Sequence, residues 1–196
     1  MQERPGIPLR ERYRVLRSLV TNPLLSQLHR YVLLCADSGV LASGDDQVLG
    51  TPAAYGDFFM DGLLSDLLPR IEKASGLKLF PTYSYFRVYK NGDVLQAHTD
   101  RPACEISVTL SLGSEPDRAW PIWIKGADGP AAVSLKPGDA LLYRGMESSH
   151  WREPFEGHHS AQVFLHYVDR DGPNAEWRFD KRVSLTAFPV RSRNPQ

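Results

Sequence analysis

Two short pieces of this chain carry residue types that can do chemistry together: His98-Thr99-Asp100, and His150 some fifty residues later. In an extended strand alternate side chains share a face, so His98 and Asp100 are expected to aim one imidazole and one carboxylate at the same point. With His150 they form a 2-His-1-carboxylate set, the facial arrangement that holds Fe(II) and leaves three adjacent positions open. The separation suggests two facing sheets, one supplying the pair and the other the single histidine. His-x-Asp alone is a weak motif. Its weight comes from what surrounds it.

The pair closes a hairpin over residues 83–100. Tyr83, Tyr85, Arg87 and Tyr89 fall on one strand face, Asn91-Gly92 is a strong two-residue turn signal, and Val94, Gln96, His98 and Asp100 are expected on one side of the return strand. The type I′ turn expected there needs positive φ at both central residues. Further strands are expected over residues 104–112, 120–125, 131–135, 140–143 and 160–168. Between them the turn Lys136-Pro137-Gly138-Asp139 precedes the strand that leads to His150. Short strands at this spacing point to a sandwich or barrel rather than βαβ units.

Two helices precede the strands. Asn22-Pro23 reads as cap and first turn of one, with Leu24, Leu25, Leu28, Tyr31 and Val32 at helical spacing to about Gly39, and His29 on its surface. The second starts at the cap Asp57, carries Phe58, Met60, Leu63, Leu64, Leu67, Leu68 and Ile71, and stops at Gly76, with Pro69 as a potential kink. Residues 42–56 read as a loop. The expected organisation is mainly β with N-terminal helices: a helical support segment over 1–81, a β core over 82–170, and a polar tail over 171–196.

Lysines and arginines number 23, aspartates and glutamates 23, so the overall charge favours neither nucleic acid nor an anionic membrane as partner. The start of the chain has no apolar signal region and no stretch is apolar for long enough to span a bilayer, so a cytoplasmic location is expected. Cys35 and Cys104 are too few for a disulfide framework and read as buried, reduced thiols.

Taken together, Tyr-Lys-Asn-Gly-Asp-Val-Leu-Gln-Ala-His-Thr-Asp-Arg, the Pro137-Gly138-Asp139-Ala140-Leu141-Leu142 run and the distal His150 resemble the Fe(II)/2-oxoglutarate-dependent oxygenases, in particular the prolyl-hydroxylase-like branch. The likeness covers residues 82–168. It implies a double-stranded β-helix (jelly-roll) core with supporting helices and iron on His98, Asp100 and His150. It further implies 2-oxoglutarate as chelating cosubstrate, dioxygen as oxidant, and hydroxylation of an unactivated C–H bond in a small molecule or a protein side chain. Asp100 favours hydroxylation over halogenation, since related halogenases carry a small residue there. The His-x-His and glutamate cluster of cupins is missing.

The resemblance departs from its pattern on the last core strand. There an arginine about nine residues past the distal histidine would grip the far carboxylate of 2-oxoglutarate through two parallel hydrogen bonds. This chain has Gly157-His158-His159-Ser160 instead. His159 lies nearest the place, but imidazole has no guanidinium fork. Arg152 is the first alternative, then Lys125 and Arg101, while Tyr89, Ser111 and Gln162 can add neutral hydrogen bonds. His158 and His166 have no role assigned, His166 reading as a hydrogen-bonded core residue. Tyr83, Tyr85, Trp120, Trp123, Trp151 and Tyr167 can line a pocket, and residues 114–118 and 145–149 are the loops expected at its mouth. Two other readings use the same residues: a zinc hydrolase on the three ligands, and a non-catalytic β-sandwich binding module.

Overall fold

A computed structural model describes residues 12–185. The first eleven residues of the 1–81 segment and the end of the tail lie outside them. Two antiparallel sheets face each other. The larger has seven strands in the order β1-β9-β6-β11-β4-β3-β2, the smaller four in the order β5-β10-β7-β8. In chain order these are β1 Tyr13–Leu16, β2 Ala42–Gly44, β3 Leu49–Tyr55, β4 Leu79–Lys90, β5 Leu95–His98 and β6 Ile106–Glu115. They continue as β7 Ile122–Gly126, β8 Gly129–Val133, β9 Ala140–Arg144, β10 His150–Arg152 and β11 His159–Asp169. Helices α1 (Leu24–Asp37) and α2 (Phe58–Ser75) cover the outer face of the larger sheet. This is the jelly-roll core with supporting helices.

The period of two in the long strands decides what goes where. Phe86 and Val88, Ile106, Val108, Leu110 and Leu112, and Ala161, Val163, Leu165 and Tyr167 form one core with Leu28 and Val32 of α1 and Met60, Leu63, Leu64, Leu67 and Ile71 of α2. The alternate residues face into the barrel, and they are polar or aromatic: Tyr83, Tyr85, Arg87 and Tyr89 from β4, Ser107, Thr109 and Ser111 from β6, Gln162, Phe164 and His166 from β11. A second apolar cluster fills the space between the sheets, with Leu141 and Tyr143 against Ile122, Ile124 and Val133.

Several expectations change. Residues 42–56 hold the hairpin β2–β3, which adds to the edge of β4 with Ala53 opposite Arg87; two short runs containing Gly and Pro hide its alternation. The N-terminal segment is therefore not purely helical, and β1 also joins the sheet, against β9. Asn22 does not cap α1: its Oδ1 accepts from the Ser26 hydroxyl and Pro23 holds the cap position with no side-chain bond. Asp57 caps α2 as expected, accepting from the amides of Phe59 and Met60, and the helix passes Pro69 as one element to Gly76, whose φ is 73°. Phe58 belongs to no core stripe and is exposed. At the hairpin turn only Gly92 has positive φ, so the turn is not type I′. Trp123 and Trp151 stack on each other, and the Tyr167 hydroxyl donates to the Leu64 carbonyl among the helices. Neither the tryptophan pair nor Tyr167 lines the cavity described below.

The Pro137-Gly138-Asp139 turn works as a staple. Buried Asp139 accepts from the Ser18 and Lys136 amides and from Arg17, which ties the segment after β1 onto the barrel. Desolvation pushes its carboxyl up, but the accepted hydrogen bonds and the Arg17 charge together outweigh it and keep the carboxyl below the ordinary range. Gly138, at φ 87°, has no room for a Cβ, which would lie 2.3 Å from the Val20 carbonyl oxygen.

Candidate metal centre

His98 and His150 are direct cross-strand partners on β5 and β10 of the smaller sheet. The two histidines thus share one sheet, not opposite ones, and Asp100 sits in the chain just past the end of β5. Opposed residues on adjacent strands lie close enough for both rings to reach one point; their centroids are 4.3 Å apart. A bulge sets two residues of β5, Gln96 and Ala97, against one of β10, Trp151, with His98 opposite His150 and Leu95 opposite Arg152. That register turns both Leu95 and His98 to the cavity, where strict alternation would separate them.

Each donor is oriented from behind. His98 Nδ1 bonds the Gln96 carbonyl at 2.8 Å and His150 Nδ1 the Ser148 carbonyl at 3.0 Å. A carbonyl accepts only, so Nδ1 carries the proton in both rings and each Nε2 presents a lone pair. Both Nε2 atoms point at one oxygen, Asp100 Oδ1, at 3.7 and 3.6 Å. The other oxygen, Oδ2, accepts from the Ser107 hydroxyl at 2.8 Å, while the Asp100 amide donates to the Gly145 carbonyl. Burial pushes the His150 pKa down, against the attraction of Asp100, and so favours the neutral ring that a metal needs.

Gly145 is part of this support. A Cβ there would lie 2.2 Å from Asp100 Oδ2 and 2.3 Å from the Cys104 carbonyl oxygen. Cys104 and His166 also border the centre, each with a ligating atom within 4.8 Å of the Asp100 carboxylate. Their local partners are Tyr83, whose hydroxyl is 3.0 Å from the Cys104 sulfur, and Ser107, 3.0 Å from His166 Nδ1. Burial raises the Cys104 thiol to about 12 and lowers His166 to about 4, so both stay neutral. Cys104 is a buried free thiol as expected; Cys35 is free but only half-buried.

A cavity of about 570 Å³ opens on His98, Asp100 and His150. Its walls are Tyr83, Tyr85, Arg87, Tyr89, Phe164 and His166 from the larger sheet, and Tyr143, Thr109 and Ile122 at its base. The mouth is formed by Asp45, Asp46 and Gln47 of the β2–β3 loop with Tyr55 and Arg101, not by residues 114–118 or 145–149. The tail also does more than fray. A tight turn over Ala175–Lys181 packs on β4, and Asp180 accepts from both terminal nitrogens of Arg101 at 2.7 Å and from Tyr55 at 2.6 Å. Phe179, Asp180 and Lys181 hold φ between 53° and 61°, an uncommon run for residues other than glycine.

The candidates for the cosubstrate's far carboxylate separate clearly. His159 lies outside the cavity, 3.7 Å from a Glu115 oxygen and beside the His29 ring. Lys125 is exposed, and Arg101 is already paired with Asp180. Arg152 is buried between the sheets, 2% exposed, and like His159 it is not among the residues that line the cavity. It donates to the Trp120 carbonyl at 2.7 Å, reaches Gln162 Oε1 at 3.4 Å, and lies over the Trp120 ring, which also packs edge-on with Tyr89. Its Nε has no partner and, among the described residues, no carboxylate pairs with it. A guanidinium buried with neutral partners alone is costly, and the burial drags its pKa down to about 10. Ser111 stands opposite Gln162 on β6, and Tyr89 lines the cavity. Sequence reasoning placed Arg87 on the pocket-facing strand but gave it no role, and it missed Asp45, Tyr55, Gly145 and Asp180. The spacing of these four carries no signal, because they reach the site from four separate places: the β2–β3 loop, the end of β3, the segment after β9 and the turn after β11.

The chain's fold is one shared with solved prolyl hydroxylases and non-haem α-ketoglutarate-dependent enzymes. Its structure resembles a Pseudomonas putida prolyl-4-hydroxylase (TM-score 0.66, 18% identity, 82% of this chain and 94% of that one). It resembles the non-haem α-ketoglutarate-dependent epimerase SnoN of nogalamycin biosynthesis (0.71, 11%, 95% and 86%). It is also similar to HygX from Streptomyces hygroscopicus, solved with nickel and 2-oxoglutarate bound (0.63, 11%, 83% and 84%). In sequence it is 29% identical over 132 residues to a uridine-5′-phosphate dioxygenase from Amycolatopsis, covering 62% of this chain. The chain spans about half the length of that relative (48%). No protein-family profile matches the sequence.

Proposed function

We propose that the protein is an Fe(II)- and 2-oxoglutarate-dependent oxygenase that hydroxylates an unactivated C–H bond of a small molecule or a single side chain. The observation that carries this reading is the convergence of two backbone-locked Nε2 atoms and one free carboxylate oxygen in a cavity between the sheets. That donor set fits Fe(II), and a buried guanidinium without a counter-charge fits the far carboxylate of the cosubstrate. With 2-oxoglutarate and dioxygen, bound iron supplies the oxidising power that no side chain has.

The chain's own residues hold and exclude. His98, Asp100 and His150 bind the metal, and Ser107 and Gly145 keep Asp100 turned to it. Arg152, with Gln162, Ser111 and the Tyr89 hydroxyl around it, receives the cosubstrate carboxylate. The aromatic walls keep water from the reacting carbon. A cavity of about 570 Å³ suits a small substrate or one inserted side chain. Two unpaired cysteines fit a reducing compartment such as the cytoplasm, and no helix among the described residues is long and apolar enough to cross a membrane.

Anaerobic Fe(II) plus 2-oxoglutarate is expected to give the protein a weak visible charge-transfer band, and admission of air should form succinate. Asp100→Ala is expected to abolish both. A band that survives that substitution, or hydrolysis that depends on zinc instead, would sink the assignment.

A further inference from the structure

The barrel holds two buried guanidinium groups, and the cosubstrate has one far carboxylate. Arg152 has only neutral partners, so on the reading above it takes that carboxylate. Arg87 is then a second cation without a task. It is 2% exposed, projects from the middle of β4, and lines the cavity that opens on the metal ligands. Its Nε has no partner, and its contacts to the Tyr85 and Tyr89 hydroxyls are loose, both 3.5 Å. The two phenol rings flank it at 5.4 Å each. Among the described residues its one close partner is Asp45.

Asp45 does not belong to the barrel. It sits in the loop between β2 and β3, the outermost hairpin of the larger sheet, and its side chain is 37% exposed. One oxygen folds the loop by accepting from the Gln47 and Val48 amides; the other faces Arg87 and the Tyr85 hydroxyl. A cation buried in a cavity wall is therefore neutralised by a carboxylate that solvent reaches and that rides on a peripheral loop. Asp46, also at the mouth, gives the loop a second negative charge.

We propose that Arg87, with the Tyr85 and Tyr89 hydroxyls, is the subsite for an anionic group on the substrate, a carboxylate or a phosphate, and that Asp45 occupies it until that group arrives. Exchange replaces one charge-assisted contact by another, so the buried cation is never left bare. The walls beyond it, Phe164, Tyr143 and Ile122, suit an apolar or planar body between the anion and the metal. Neutralising Asp45 removes the competitor, and the Tyr85 phenol, held up at about 12, remains a hydrogen-bond donor throughout.

The proposal rests on the oxygenase reading, and the test keeps the two apart. The full chain, loaded with Fe(II) and 2-oxoglutarate under nitrogen, is titrated calorimetrically with phenyl phosphate, phenylacetate and benzyl alcohol. One or both anions should bind and the alcohol should not; the tighter anion tells phosphate from carboxylate. Asp45→Asn should tighten the anion about five-fold or more, and Arg87→Met should weaken it about 30-fold while the charge-transfer band persists. The Asp45 variant reports on the subsite even where Arg87→Met fails to fold. Equal binding of anion and alcohol, no anion binding by either wild type or Asp45→Asn, or anion binding undiminished in Arg87→Met would overturn the subsite. Loss of the band in folded Arg87→Met would also overturn it, by making Arg87 the cosubstrate anchor. No band in the wild-type protein would instead remove the oxygenase reading beneath it.

Discussion

The metal end of the cavity and its mouth are built on different principles. At the metal end every donor is fixed by the barrel itself: cross-strand pairing brings His98 to His150, backbone carbonyls lock both rings, and Ser107 and the Gly145 backbone hold Asp100. At the mouth, side chains are held by ion pairs to segments outside the barrel, Arg87 to the β2–β3 loop and Arg101 to the turn around Asp180. Backbone-anchored geometry suits a metal that tolerates little displacement of its ligands. An ion pair to an outlying segment can be exchanged for another partner of the same charge, which suits an entrance.

The comparison breaks if the metal end proves tolerant. Gly145→Ala pushes a methyl into Asp100 and the Cys104 carbonyl, and Fe(II) affinity measured by anaerobic titration is expected to fall about 100-fold. Arg152→Met leaves the three ligands untouched. Iron should still bind, while 2-oxoglutarate, followed by the charge-transfer band, is expected to bind about 30-fold more weakly. Unchanged cosubstrate affinity would move the anchor elsewhere.

Acid should act on the inner end as well. His166 is held neutral by burial, its pKa about 4 against an ordinary 6.5. Between those values the unfolded chain takes up a proton that the folded one refuses, so stability is complete above about pH 6.5 and falls toward pH 4. A full single-group effect is about 1.4 kcal/mol per pH unit. Metal-free protein followed by thermal melting should show this slope, and His166→Gln should flatten it. At the mouth the smallest effect is expected: Asp180→Asn should speed tryptic cleavage at Arg178 and Lys181 about five-fold through local opening. Its iron and cosubstrate band should stay unchanged. A variant that lost the band would show the two ends to be one unit.

This division also explains what the sequence revealed. Long strands with strict alternation, Tyr83 to Tyr89 and Ile106 to Leu112, declare both their faces, and His98, Asp100 and His150 stand out by residue type in strand context. Arg152 could be ranked first among the basic candidates by its place just after His150, but its lack of a counter-charge is something only packing shows. The shared sheet of the two histidines was hidden, since strand order is not written in local pattern. Residues 42–56 read as a loop because Gly44, Gly50 and Pro52 interrupt their alternation and the hairpin depends on β4 for its place. Asp45 and Asp180 look like any surface carboxylates until the fold sets each beside a guanidinium.

The staple at Asp139 has a consequence for the rim of the larger sheet. It fastens the segment that delivers β1, and β1 is the outermost strand on that side of the larger sheet, paired along β9 from Leu16 opposite Ala140 to Tyr13 opposite Tyr143. Without it, β9 would present a bare row of amides and carbonyls at the rim of a six-stranded sheet, five residues long where β1 has four, and open to strand addition by another chain. A turn that reads as a marker of the barrel thus also decides which strand forms the sheet's edge.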